Sequence, residues 1–393
     1  MDHASRLRTA ARMASIAPFE VMEIQTLARR LEAEGRDVIH LEIGEPDFAT
    51  PAPIVDAAKR ALDEKPMFYT SALGIAPLRE AISRFYRERY RVEIPAERIV
   101  VTAGSSAALL LAFGVLLDPG DEVLLADPSY PCNRHFVHAL GGHPRLVPVD
   151  SRSRYQLTPD LAEEAWTART RIAMVASPSN PTGTMVEPAE VSALAAIARE
   201  RGGTLLVDEI YHGLTYGRDA RTALEAGDDV FVINSFSKYF QMTGWRLGWL
   251  VAPTAYVREV EKLAQNLYIS PSTLAQHAAL AAFEPATLAI LEARRRELQA
   301  RRDFLLPALL SLGFRIPVEP DGAFYVYAEC SRLTDDSFHF AREVLGKAGV
   351  AFTPGKDFGF NAPERHIRIA YTQPIARLEE AVARLRTFLA GRG

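Results

Sequence analysis

The sequence contains very little cysteine, since Cys132 and Cys330 are the only two in 393 residues. They lie far apart and form no Cys-x-x-Cys pair, which predicts neither a disulfide framework nor a structural zinc site. A reducing, cytoplasmic compartment is therefore expected. No uninterrupted apolar run approaches the roughly 18 to 20 residues that cross a bilayer. A formal net charge of −4 argues against nucleic acid or an anionic membrane as the main partner.

The sequence also has no obvious metal-binding cluster. His135, His138 and His143 lie close together, but only two of them share a helical face and no group of acids joins them. We therefore expect no metal ion.

The N-terminus lacks the apolar core of a secretory signal. Residues 1–14 carry three arginines but no hydrophobic run. This composition predicts a loosely attached arm, and an arginine-bearing organelle transit segment is the alternative.

The length of the chain predicts two domains that share an interface. We place an N-terminal arm and part of a small domain in residues 1–47, a large domain in residues 48–285 and the rest of the small domain in residues 286–393. The composition, at 48% hydrophobic and 24% charged, is that of an ordinary globular protein.

Short apolar runs alternate with helical patterns through the middle of the chain. This alternation predicts an α/β fold with a mostly parallel sheet, of the seven-stranded type, and helices on both faces. The predicted strands are 98–102, 122–126, 171–176, 204–207 and 230–234, and the predicted helices are 105–117 and 191–201.

After Pro285 the pattern changes to that of a smaller α+β domain. A long helix rich in Arg and Glu is predicted first, followed by strands and helices in turn. The predicted elements are a helix at 286–313, a strand at 323–328, a helix at 336–348, a strand at 367–371 and a helix at 375–389.

Three polar motifs follow predicted strands, where open parallel sheets bind ligands. In residues 102–107 (TAGSSA) a glycine turn opens a helix, which suits a phosphate group, although an ordinary helix cap has the same pattern. Residues 177–183 (SPSNPTG) hold Asn180 between prolines, a pattern that an ordinary turn-rich loop shares. Asp208 ends an apolar strand, where a carboxylate needs a cation or a donor unless it merely caps the next segment.

A fourth motif, residues 235–249, contains a lysine and an arginine that suit chemistry on a ligand. Lys238 lies among aromatic residues and hydroxyls, a setting that lowers the pKa of a lysine and favours imine chemistry. Arg246, which we expect to be half-buried, suits an anion. In isolation such a lysine is usually a solvated charge.

Taken together in this order, the four motifs resemble those of the class I/II, aspartate aminotransferase-like family of fold type I pyridoxal phosphate (PLP) enzymes. The resemblance extends over nearly the whole chain, from residues 43–48 (IGEPDF) to Arg368. It implies an aminotransferase that uses PLP as its cofactor.

The resemblance implies a role for each matching residue around the cofactor ring. Lys238 would hold the cofactor through an imine and carry the proton during catalysis. Asp208 would pair with the ring nitrogen and keep the ring an electron sink. Asn180 and Tyr211 would bond the phenolic oxygen of the ring, and Tyr130 would stack on its face. The residues implied at the phosphate are Gly104, Ser105, Ser106, Ser235 or Ser237, and Arg246.

The resemblance also implies residues for the substrate and for a second subunit. Arg368 matches the arginine that grips the substrate α-carboxylate, which a planar guanidinium does through two parallel bonds. Gly44 matches a glycine whose backbone approaches the same carboxylate, together with Asn180. Tyr69 matches a tyrosine that reaches the phosphate of the neighbouring subunit, so a homodimer is implied.

The substrate pair is less well specified. No second cation for a distal carboxylate is evident, and Ser106 stands where some aspartate-using members carry lysine. This favours neutral, aromatic or branched donors, with 2-oxoglutarate or pyruvate as the acceptor. An arginine from a partner subunit or from the N-terminal arm would reverse that preference.

Two rival functions share the same motifs. A β-lyase, or another PLP enzyme acting at Cα or Cβ, would hold the cofactor with the same residues. A regulatory protein that senses PLP would carry a DNA-binding domain ahead of the motifs, but fewer than fifty residues precede Gly44. We therefore expect an enzyme.

Overall fold

A computed structural model describes residues 8–392 of the chain. The first seven residues of the predicted N-terminal arm lie outside the described residues. Within the described part of the arm, residues 8–10 are exposed, and a short 3-10 helix, Ala11–Ser15, follows them.

Twelve strands are formed by residues 8–392, in three sheets. Seven strands make the large sheet, in the order β2-β8-β7-β6-β5-β3-β4, and β8 is antiparallel to both of its neighbours. The strands are β1 (Ile39–His40), β2 (Ile99–Thr102), β3 (Glu122–Asp127), β4 (His143–Pro148), β5 (Thr170–Ala176), β6 (Thr204–Asp208), β7 (Phe231–Ser235), β8 (Gly248–Val251), β9 (Tyr325–Glu329), β10 (Val350–Ala351), β11 (Thr353–Pro354) and β12 (His366–Ala370).

Helices cover both faces of the large sheet. The α-helices of residues 8–392, including those of the smaller part of the fold, are α1 (Glu20–Ala33), α2 (Ala52–Glu64), α3 (Ala76–Tyr90), α4 (Ser105–Leu116), α5 (Pro131–Ala139), α6 (Pro159–Ala165), α7 (Pro188–Glu200), α8 (Thr254–Tyr268), α9 (Thr273–Ala279), α10 (Pro285–Ser311), α11 (Ser337–Ala348) and α12 (Ile375–Ala390). No single helix of residues 8–392 is long and apolar enough to cross a membrane. One pair, Thr273–Phe283 with Pro285–Ser311, meets that test on length and composition only, across an 80° bend.

The central strands are buried on both faces, as the continuous apolar runs predict. In β6, Leu205 and Val207 pack into one hydrophobic cluster, and Leu206 between them packs into the cluster on the opposite face. Burying each such side chain contributes about 1.5–3 kcal/mol relative to leaving it in water. The predicted α/β fold with a mostly parallel sheet is therefore confirmed.

The second part of the fold is built on two small sheets. In one, β12 lies between β11 and β9 and is antiparallel to both. In the other, β1 pairs with β10, which joins the N-terminal region to the C-terminal third of the chain. The division at residues 48 and 286 stays a prediction.

This topology sets the position of the polar motifs. The carboxyl ends of β5, β6 and β7 lie at one edge of the sheet because these three strands are neighbours and parallel. Asn180, Asp208 and Lys238 follow or end those strands, so the fold brings them to the same edge.

Candidate active site

A cavity of about 300 Å³ lies at the carboxyl ends of the parallel strands. Eleven of the fourteen predicted site residues line it: Gly44, Ser105, Ser106, Tyr130, Asn180, Asp208, Tyr211, Ser237, Lys238, Arg246 and Arg368. Gly104, Ser235 and Tyr69 are not in its lining.

Lys238 follows β7 and is the amine of this cavity. Its Nζ donates to the carbonyl of Gly44 at 2.7 Å and lies within 6 Å of the ring centres of Tyr211 and Phe324. Removal from water lowers the pKa of Lys238 to about 8, against the opposing pull of Glu45. A substantial fraction of this amine is therefore neutral near physiological pH, as a nucleophile requires.

Asp208 ends β6 and is only 6% exposed. Its Oδ1 accepts from the backbone N–H of Ile210 at 3.1 Å, and no cation within residues 8–392 forms an ion pair with it. Burial raises the pKa of Asp208 to about 7. A buried carboxyl that lacks a cation is suited to a cationic group of a bound ligand.

Tyr211, Tyr325 and Asn180 form the wall near Arg368. The hydroxyls of Tyr211 and Tyr325 lie 3.0 Å apart, and Oδ1 of Asn180 accepts from Nη1 of Arg368 at 3.0 Å. Tyr325 belongs to none of the motifs predicted from the sequence. It is buried, but it also lines the cavity, because its strand, β9, pairs with β12, the strand of Arg368.

The predicted phosphate seat lies at the start of α4. Gly104 is its N-cap at φ +81°, and no side chain within residues 8–392 caps this N-terminus. A Cβ added at Gly104 would lie 2.7 Å from Nη2 of Arg246, so only glycine lets the guanidinium approach the turn. Arg246 is exposed in this chain rather than half-buried as expected, and it has no carboxylate partner within residues 8–392.

Ser235 and Ser237 play different parts here. Ser237 lines the cavity, whereas Ser235 lies behind it and donates to Ser237 Oγ at 3.0 Å. Ser235 also accepts from the backbone N–H of Ser237, so it supports the loop before Lys238.

Arg368 is buried and held from three sides. Its Nη2 donates to the carbonyl of Glu42 at 2.7 Å and to Thr353 Oγ1 at 3.2 Å. The guanidinium carbon lies 4.3 Å from the ring centre of Tyr325 and 4.9 Å from that of Phe358. Its Nε has no partner among the described residues, which leaves a buried donor free for an anion.

Tyr69 lies away from the cavity. It is 80% exposed and lines a separate surface hollow with Phe68 and Ser270. Gly44 is close to Arg368, since a Cβ added there would lie 2.8 Å from the hydroxyl of Tyr325 and 3.9 Å from Nη1 of Arg368.

One side of the cavity was not predicted from the sequence. Helix α1 contributes Val21, Met22 and Gln25, with Phe19 just before it. No motif marked these residues, because their place in the site depends on how α1 docks against the rest of the fold.

The groups that line this cavity fit pyridoxal phosphate. Lys238 offers a neutral amine for an aldehyde, and Asp208 is a buried carboxyl without a cation. The uncapped start of α4, beside Arg246, offers backbone donors and a positive charge for a phosphate. Within residues 8–392 no group of three or more His, Cys, Asp or Glu residues forms a metal site.

A larger cavity, of about 390 Å³, lies beside the loop at residues 218–226. Its buried carboxyl, Glu209, is already bonded by Thr222 Oγ1 and the N–H of Ala223, and His212 by the hydroxyl of Tyr90. Among the described residues, Lys238 lines the smaller cavity and no lysine lines the larger one, so we take the smaller cavity as the active site.

Comparison with known proteins identifies the family of this chain. Residues 36–385 match the family model described as aminotransferase class I and II. The chain is 38% identical to valine–pyruvate aminotransferase of Mycobacterium tuberculosis, over 96% of this chain and 97% of that protein. It is 32% identical to aspartate aminotransferase of Bacillus subtilis, over 98% and 99% of the two chains.

Solved structures show the same likeness. The fold matches the crystal structure of an aminotransferase from Mycobacterium tuberculosis with a TM-score of 0.95 and 38% identity. The match covers 98% of this chain and 100% of that chain.

Proposed function

Because this chain belongs to the class I and II aminotransferases, enzymes that use pyridoxal 5′-phosphate, we propose that it moves the amino group of a neutral, apolar or aromatic L-amino acid onto a 2-oxo acid such as pyruvate or 2-oxoglutarate. Its free Cys132 and Cys330 thiols support a cytoplasmic location.

The composition of the cavity wall is the observation that supports the proposed substrate class. The cations in the wall are Lys238, Arg246 and Arg368, and each is already suited to the amine chemistry, the phosphate or the α-carboxylate. Among residues 8–392, no further Lys or Arg lines the cavity for a distal carboxylate. The remaining wall includes Phe19, Val21, Met22, Leu109 and Phe358, which suit an apolar side chain.

An acidic residue of the wall also favours an amino donor that lacks a second carboxylate. Asp357 lines the cavity beside the wall of residues 19–22 and is nearly inaccessible to solvent, whereas the carboxylate of Glu42 is paired with His40. Carboxylates at the side-chain end of a site repel a substrate that carries a second carboxylate. The relative named valine–pyruvate aminotransferase supports an apolar donor, and those named aspartate aminotransferase support the other choice.

We assign the chemical steps to groups of the chain as follows. When bound, pyridoxal phosphate withdraws electrons and so makes the Cα proton of the amino acid acidic. Arg368 holds the α-carboxylate through two N–H donors and so fixes the orientation of Cα. Lys238 takes the Cα proton at Nζ and returns a proton later, which its lowered pKa permits at neutral pH. Asp208, the buried carboxyl, balances the charge on the ring nitrogen.

The lowered pKa of Lys238 leads to a pH-dependence that needs no cofactor. In the cofactor-free chain, the rate at which Lys238 forms an imine with a simple aldehyde should rise with pH and level off above about 8, because the neutral amine is the nucleophile. Trapping with borohydride, followed by mass spectrometry of the Lys238 peptide, measures this rate. Exposed Lys59 provides an internal reference. A rate that keeps rising well beyond pH 8 would contradict the lowered pKa.

We also propose that the active unit is a homodimer in which Tyr69 reaches the cofactor phosphate of the other subunit. Its 80% exposure and its distance from its own cavity support this arrangement. Tyr69→Phe should weaken cofactor binding by about 1.5–3 kcal/mol, the range for a hydrogen bond to a charged group. Equilibrium dialysis measures the affinity and sedimentation the mass, with Tyr256→Phe as the control. A monomer in sedimentation, or unchanged affinity in Tyr69→Phe, would refute the proposal.

The proposed function is tested by mixing the loaded enzyme with single amino acids. An aminotransferase converts the bound cofactor to its amine form, seen by absorbance, and stops until a 2-oxo acid is added. A β-lyase releases ammonia and a 2-oxo acid without any acceptor. Turnover with valine, leucine, phenylalanine or alanine, and weaker turnover with aspartate, is expected. Preference for aspartate would refute the substrate proposal alone.

A further inference from the structure

Helix α1 begins without a cap of its own. Its N-cap residue, Phe19, makes no side-chain hydrogen bond, so the first N–H groups of the helix need partners from elsewhere. The N–H of Glu20 donates to Oδ1 of Asp357 at 2.9 Å, and the N–H of Val21 also bonds this carboxylate. A residue 337 positions away in the sequence thus supplies the cap.

Asp357 is itself held by helix α5, which packs on the large sheet. Its carbonyl accepts from Nη2 of Arg134, on α5, at 3.0 Å, and its side chain is only 4% exposed. An ion pair of 3.2 Å between Lys356 and Glu20 adds a second link to α1. We call Arg134, Asp357 and Glu20 the Asp357 clamp.

The clamp lies where α1 meets the active site. Phe19, Val21 and Met22, at the start of the helix, line the cavity together with Asp357 itself. Arg368, which holds the α-carboxylate in our proposal, lies on β12 and donates its hydrogen bonds to Asn180, Glu42 and Thr353 instead. The clamp therefore positions the wall for the substrate side chain without contributing to the bonds that fix Arg368.

We propose that Asp357 is a positioning residue for substrate selection: by capping α1 it holds the apolar wall of residues 19–22 against the side chain of the amino donor. This inference rests on the proposed function, because it assigns the wall to the donor side chain. Its effect grows with the size of that side chain, since a small donor such as alanine makes few contacts there.

The test compares Asp357→Ala, which removes the acceptor, with Asp357→Asn, which keeps an oxygen at Oδ1. In Asp357→Ala, kcat/KM should fall by roughly 2- to 30-fold for valine, leucine and phenylalanine, the range for loss of a helix cap, and by much less for alanine. Asp357→Asn should retain most of the activity with every donor. Asp335→Ala, an exposed acid in the same part of the chain, is the matched control.

A second measurement needs no substrate. Hydrogen exchange of the holoenzyme should be faster for the N–H groups of residues 20–23 in Asp357→Ala, and unchanged in α12. Unchanged exchange in α1 would overturn the clamp whatever the activity shows. An equal loss for alanine and for the larger donors, or an Asp357→Asn variant as poor as Asp357→Ala, would overturn its role in selection. If the wild type uses no apolar donor at all, the proposed substrate class fails, and accelerated exchange in α1 would still support the cap.

Discussion

Lys238→Ala should lose the covalent link to the cofactor and should lower transamination by at least 10²- to 10⁴-fold, the usual contribution of a positioned acid–base group. Among residues 8–392, Lys238 is the only lysine that lines the cavity. Its 2.7 Å bond to the carbonyl of Gly44 and the surrounding aromatic rings fix Nζ at the centre of the site. Alanine provides neither a nucleophile nor a base.

Two measurements distinguish loss of the covalent link to the cofactor from loss of proton transfer. Borohydride reduction of the wild type, followed by peptide mapping, should place the cofactor on Lys238, and the variant should give no adduct. Single-turnover rates then report the proton transfer. Lys59→Ala removes an exposed lysine from α2 and should leave both measurements unchanged. An adduct on another lysine, or full activity in Lys238→Ala, would refute the catalytic assignment.

The strands that the sequence analysis found are those whose surroundings are apolar on both faces. The predicted strand 204–207 is observed as Thr204–Asp208, and 230–234 as Phe231–Ser235. Two strands of the large sheet were missed. β4, His143–Pro148, lies at the edge of the sheet and is largely solvent-facing, with two prolines and an arginine, so it has no apolar run. β8, Gly248–Val251, was hidden because it directly follows Arg246, in a segment that we assigned to binding.

The residues of the candidate site also fall into a group that the sequence predicts and a group that it does not. Asn180 and Asp208 were predicted from their positions at the ends of parallel strands, which chain topology brings together, and Lys238 from its aromatic and hydroxyl setting and from the resemblance of the four motifs to a known family. Tyr325 reaches the cavity because β9 pairs with β12. The residues of α1 reach it because this helix docks against a segment that lies hundreds of residues away in the sequence. The bond between Glu20 and Asp357 spans 337 positions, and no local pattern encodes it. The sequence therefore predicted the groups on the cofactor side of the cavity better than the wall on the substrate side.

Arg368→Lys should lower kcat/KM roughly 10- to 150-fold, the equivalent of losing one charge-assisted hydrogen bond of about 1.5–3 kcal/mol. In the wild type, one guanidinium nitrogen bonds Asn180 and the other bonds Glu42, so the plane of the group is fixed before any substrate arrives. The rings of Tyr325 and Phe358, on which a flat cation stacks, hold the same plane. A lysine has one nitrogen, which cannot satisfy these acceptors and also grip a carboxylate at two points.

The pattern of the loss across substrates distinguishes this role from general damage to the site. Amino donors and 2-oxo acids share the α-carboxylate, so both halves of the reaction should slow by a similar factor in Arg368→Lys. Cofactor affinity should stay unchanged, because the hydrogen bonds of Arg368 go to Asn180, Glu42 and Thr353 and not to the phosphate seat at the start of α4. Arg365→Lys, at an exposed position three residues earlier, is the matched control. If only the donor half slowed, or if the cofactor dissociated more readily, the α-carboxylate would have to be held elsewhere. The free buried Nε of Arg368 would then require another partner.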